Sequence, residues 1–167
     1  LLIHYALERA MSHTAGAERR TSEQAVDFWL RVSGFAQAYD VDKLGRFATL
    51  DPSLRAIRTS SDGFSERVDM EIGLRLPLGL DVVDLQARVA QWAVGAKAST
   101  RGYEVAFRAP KRNALTSAFL TAIRAEGSRA TFVNKTGTSD MNVLGPRWDC
   151  PIVAYGPGDS SLDHTPD

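Results

Sequence analysis

The chain has 167 residues, 44% of them apolar and 24% charged, and its 20 basic side chains are balanced by 20 acidic ones. Such a length suits one large or two small globular domains, and the balanced charge leaves no global basic field for nucleic acid, so a charged partner must be met by a local patch. No apolar run is long enough to cross a bilayer, and the single cysteine, Cys150, has no partner for an internal disulfide. Beside an apolar run it reads as a buried, inert thiol, in keeping with a reducing cytoplasm.

Residues 1–8 alternate, with Leu1, Ile3, Tyr5 and Leu7 on one side and His4, Ala6 and Glu8 on the other, the period of a half-buried strand. The start inside such a run, without an initiator Met, reads as a fragment of a longer protein. A loop with Ser12, His13, Thr14 and Gly16 leads to Thr21, whose spacing to Gln24 fits a capping box, and predicts a helix to about Tyr39. Its apolar stripe is Ala25, Trp29, Val32, Ala36 and Tyr39, widened by Phe28 and Phe35. A strand over 54–60 and the turn signal Ser61-Asp62-Gly63 follow. The return strand alternates Val68, Met70, Ile72, Leu74 and Leu76 with polar residues and Gly73, so one face is buried and the other open. Asp81 is expected to cap a second helix carrying Val82, Leu85, Val89 and Trp92, and Tyr103, Val105 and Phe107 mark a fourth strand.

This order predicts an α+β fold: a ferredoxin-like antiparallel sheet of four strands under two helices, over residues 1–108. Residues 109–167 read as the C-terminal part of a larger α/β domain. Asn113 begins a helix with Leu115, Ala118, Phe119, Ala122 and Ile123 facing inward, and strands are expected over 130–133 and 152–155.

The chemistry is concentrated in Lys135 to Asp167. There Gly137-Thr138-Ser139-Asp140 opens a short helix, and the apolar run 151–155 delivers a second turn, Gly156-Pro157-Gly158-Asp159-Ser160, that runs into Asp163 and His164. Together with Met11-Ser12-His13-Thr14-Ala15-Gly16, this succession resembles the co-catalytic zinc amidohydrolases that include acetylornithine deacetylase, succinyl-diaminopimelate desuccinylase and carboxypeptidase G. Within that family it is most similar to the branch that frees lysine or ornithine from an amino-group carrier protein. The match is densest at 11–16 and 135–166.

The resemblance implies a ferredoxin-like lid and dimerisation domain followed by part of a zinc-hydrolase catalytic domain, and a cytoplasmic homodimer. The reaction it implies is hydrolysis of an amide on lysine or ornithine in amino-acid biosynthesis, with an acidic carrier protein or an acetyl group as the other half of the amide. Two zinc ions per subunit are implied, with cobalt as an alternative. His164 is the implied metal ligand: a neutral imidazole is a good zinc donor, and a carboxylate such as Asp163 suits its second ring nitrogen. The remaining ligands and the general base fall upstream of Leu1 in the family's order. Two dications about 4 Å apart need several ligands and a bridging group, so the chain alone is not expected to be a competent enzyme.

His13 matches the family's donor to the oxyanion on the scissile carbonyl, acting from the partner subunit. Arg75, at the end of its strand, matches a residue that binds the substrate carboxylate, a task suited to a guanidinium fork; otherwise it is a solvated charge near Glu71. Gly137 and Thr138 are implied to line the substrate pocket, and Asp159 and Ser160 to touch substrate. Ser61-Asp62-Gly63-Phe64 departs from the turn that relatives carry there. Arg101, Arg108, Lys111 and Arg112 form a basic cluster suited to an acidic carrier. Two alternatives remain: the same chemistry on acetylornithine or succinyl-diaminopimelate, and a non-enzymatic ferredoxin-like dimerisation or binding module.

Overall fold

The structure is a computed structural model that describes residues 1–11, 19–134 and 137–156. It divides into two compact units, Leu1–Ala106 and Phe107–Asp167. In the first, β1 (Leu2–Ala10), α1 (Thr21–Asp40), β2 (Asp51–Ser61), β3 (Ser65–Arg75), α2 (Val82–Trp92) and β4 (Lys97–Arg101) follow in order. The strands form one antiparallel sheet in the order β2-β3-β1-β4, the ferredoxin-like arrangement expected from the periodicities.

Strand alternation decides the core. Ile3, Tyr5 and Leu7 of β1 and Val68, Met70, Ile72 and Leu74 of β3 are buried. They pack with Ala25, Phe28, Val32 and Ala36 of α1 and Leu85 and Val89 of α2. The Tyr5 and Phe28 rings meet at 4.6 Å between centroids, and burying a Phe28-sized side chain stabilises by about 1.5–3 kcal/mol. Burial also raises the Tyr5 phenol above its ordinary pKa.

The entry to α1 differs from the expected Thr21–Gln24 box. Arg20 is the N-cap, its backbone N–H donates to the Glu23 carboxylate (2.9 Å), and Thr21 is already helical and buried. The Thr21 N–H donates to Glu66 of β3 at 2.8 Å, and Arg20 adds an ion pair at 3.3 Å, so a strand carboxylate supplies the anion that a helix N-terminus favours. The hydrogen bond from Thr21 and the Arg20 charge hold the Glu66 carboxyl below its usual range. At the other end of α1, Asp40 accepts from the Leu50 N–H (2.8 Å).

The β2–β3 hairpin turns where expected. Asp62 accepts from the Phe64 and Ser65 N–H groups at 2.9 and 2.7 Å, which lowers its pKa, and Gly63 takes φ 90°, open to glycine at little cost. Asp81 caps α2 by accepting from Asp84 N–H at 3.0 Å. The fourth strand is Lys97–Arg101 and not the aromatic run at 103–107. Its register on β1 sets Ala98 beside Tyr5 and Thr100 beside Ile3, and α2 reaches it through Gln86, which donates to Thr100 (2.8 Å). Gly102 (φ 62°) then turns the chain out of the ladder, leaving Tyr103 and Val105 exposed.

In the second unit, α3 (Ala114–Ala125) and α4 (Asp140–Leu144) are helical. Asn113 caps α3 by accepting from Thr116 N–H at 2.8 Å, and Thr116 returns a contact to the Asn113 N–H at 3.1 Å. Leu115, Phe119 and Ile123 are half-buried, whereas Ala118 and Ala122, expected inside, are exposed. The strands expected over 130–133 and 152–155 do not form. A strand persists through its hydrogen-bonded neighbour, and neither segment has one among the described residues. Phe132, Val133 and Tyr155 stay substantially exposed, with the Tyr155 ring 5.3 Å from that of Phe119. Cys150 is likewise exposed, not a core thiol, because the apolar run beside it joins no sheet.

Candidate active site

Arg75 ends β3, one of the two central strands, whose polar side faces away from the helices. It pairs with Asp51 at the start of β2 (3.4 Å), not with Glu71, because the antiparallel register sets Asp51 directly opposite. Both side chains are about half exposed, so the guanidinium keeps donors for a carboxylate. Next along the strand, Gly73 lies under the side chain of Arg55, which a bulge between Leu54 and Ala56 turns onto the sheet. Further along, Arg67 holds Asp69 at 2.6 Å and lies 3.7 Å from Glu8. The Arg67 hydrogen bond, followed by its charge, depresses the Asp69 pKa, and His4 stands 3.7 Å away on the neighbouring strand.

In the second unit, Gly137 and Thr138 form an exposed turn, and Ser139 is the N-cap of α4, its N–H donating to Asn142 at 2.9 Å. Among the described residues none lies within 4 Å of the place a Gly137 Cβ would take. Asp140 lies in the first turn, where a negative charge suits the helix N-terminus. His13, Asp159, Ser160 and His164 lie outside the described residues. Among the described residues no three His, Cys, Asp or Glu side chains come together to hold a metal, and His164, the ligand that the family resemblance implies, is not one of those residues. Also among them, no helix is long and apolar enough to cross a membrane.

No protein-family profile matches the chain. Individual proteins do. A [LysW]-lysine hydrolase of Deinococcus radiodurans is 42% identical over 167 residues, 96% of this chain and 46% of that protein. The chain is similar to that hydrolase over almost its own entire length. A putative [LysW]-lysine/[LysW]-ornithine hydrolase of Thermococcus kodakarensis is 35% identical over 87% of the chain, and one of Pyrococcus furiosus is 50% identical over 38% of it. The chain spans less than half the length of these LysW-lysine and LysW-ornithine hydrolases.

Two further features of β3 have weaker or no sequence signals. Arg55 seated over Gly73 had one signal, a glycine inside an otherwise regular alternating strand, which marks a close approach. Glu66 at the start of α1 had none, since a tie between residues 45 positions apart appears only once the fold brings them together.

Proposed function

We propose that the protein containing this chain is a zinc-dependent amide hydrolase that releases lysine, and by extension ornithine, from the LysW carrier named by its relatives. The observation that carries this reading is the 42% identity over 96% of the chain to a [LysW]-lysine hydrolase. His164 is assigned as a ligand of one zinc and His13 as the donor to the carbonyl oxyanion, from a partner subunit in a homodimer. Arg75 is assigned to take the substrate carboxylate through its fork, Gly137 and Thr138 to offer backbone and hydroxyl groups to the amide, and Asp159 and Ser160 to touch substrate. Zinc, when bound, supplies an activated water and a Lewis acid; this chain's residues orient the substrate and meet its developing charge.

The exposed half of the Arg75 guanidinium supports its role, since the Asp51 contact fixes the side chain without enclosing it. The test uses the full-length protein. Incubation with LysW bearing lysine should liberate free lysine, and metal analysis should find about two zinc ions per subunit. Arg75→Lys keeps the charge and loses the fork, so KM should rise more than kcat falls. A full-length protein that takes up no metal and leaves the conjugate intact contradicts the proposal.

A further inference from the structure

We propose that the open face of the β2-β3-β1-β4 sheet is a docking surface for an acidic polypeptide, held by Arg55, Arg58, Lys97 and Arg101. The helices cover only the face carrying Tyr5, Met70 and Ile72, and the alternate residues of all four strands face away from them. In register across that open face, Arg58 stands beside Asp69, whose other neighbour Ala6 lies beside Lys97. Two rows along, past Ala56, Glu71, His4 and Ser99, Gly73 and Leu2 lie between Ser53 and Arg101.

Most of the face's carboxylates are already engaged. Asp69 and Glu8 are held by Arg67, and Asp51 by Arg75. Among the described residues, Arg55, Arg58, Lys97 and Arg101 enter no ion pair, against the single uncommitted carboxylate of Glu71. All four cations are exposed.

The floor between them is uneven, with Leu2, His4 and Glu71 rising from it. Ala6, Gly73 and Ser99 project little from the sheet, and a Cβ on Gly73 would run into the Arg55 side chain. The bulge and the glycine therefore act together to lay Arg55 along the sheet, where its fork meets a carboxylate approaching from above. An extended peptide with Asp or Glu side chains matches cations spread over strands about 4.8 Å apart. Nucleic acid fits less well, because among the described residues the face offers no Phe, Tyr or Trp for bases to stack on.

The inference rests on the hydrolase reading for the identity of the polypeptide, the carrier that presents the lysine. Its test is kept separate from turnover. Fluorescently labelled polyglutamate is titrated by anisotropy into the full-length wild type and into Arg58→Glu/Lys97→Glu and Arg55→Glu/Arg101→Glu, each checked for an unchanged melting temperature. Expected is saturable binding that weakens at least about tenfold in each double variant and also weakens as salt is raised. Gly73→Ala, which displaces Arg55 without changing charge, should show a smaller loss of the same sign. Undiminished binding in both double variants overturns the proposal, as does duplex DNA that competes as well as unlabelled polyglutamate. Lysine release by the wild type is assayed alongside: its absence, with polyglutamate binding retained, counts against the hydrolase reading and leaves the docking face standing.

Discussion

The two units follow the same local rules and reach different ends. In Leu1–Ala106 every strand has a hydrogen-bonded neighbour and both helices lay their stripes on the sheet, so Tyr5, Phe28, Met70 and Ile72 are buried. In Phe107–Asp167 the helix caps are as well made, with Asn113 and Ser139 where the sequence calls for them, yet Phe132, Val133 and Tyr155 are left substantially exposed. Capping is decided within about four residues, whereas burial depends on partners distant in sequence. Local signals therefore hold in both units, and tertiary ones only where the partner strands are at hand.

The sharpest way to break this contrast is to cut equivalent rings out of each unit. Phe28→Ala removes a fully buried ring that touches Tyr5, and should cost the first unit about 3–5 kcal/mol in denaturant unfolding. Phe119→Ala removes a half-buried ring and should cost the second unit no more than about half of that. Equal losses would mean that the second unit has a core as complete as the first.

The first unit was legible for the same reason. The 3.6-residue stripe of 21–40 and the period of two in 67–76 point at each other, and only one common arrangement of six such elements buries both. The fourth strand was misplaced because Tyr103, Val105 and Phe107 alternate convincingly, while the true strand, Lys97–Arg101, carries only Ala98 and Thr100 toward the helices. An edge strand with small inward residues has little hydrophobic signature. The strands expected over 130–133 and 152–155 failed differently: their composition suits a strand buried on both sides, but composition alone supplies no ladder. Of the site, Arg75 could be placed from its strand position, but its pairing with Asp51 needed the register.

Glu66 sharpens the comparison at a smaller scale, because it ties a helix to a strand across the first unit. Glu66→Gln should destabilise that unit by about 1 kcal/mol, read from the shift in its denaturation midpoint. The folded pKa values of Glu66, Asp62 and Asp69 are depressed, so the stability they contribute is fully present above their ordinary values of 4.5 and 3.8 and is lost as pH falls through the folded values. The unit should therefore weaken steadily below about pH 4.5, and Glu66→Gln should flatten that decline. An unchanged acid limb would show that Glu66 does not anchor α1. In the second unit, Asn113→Ala should cost about 1 kcal/mol through the lost cap, comparable to Glu66→Gln although the surrounding packing is so much thinner. The smallest effect belongs to Leu30→Ser on the outer side of α1, within about 0.5 kcal/mol of no change, since that side chain is 58% exposed.

The hydrolase reading is tested most directly by lysine release from the LysW conjugate, comparing the full-length wild type with His164→Ala. A metal ligand should matter more than the residues that merely orient one, so release should fall by well over about a hundredfold, with zinc content reduced and the circular dichroism of the protein unchanged. Release within a few-fold of wild type, with zinc retained, would contradict the assignment of His164 and the carry-over of the chemistry with it.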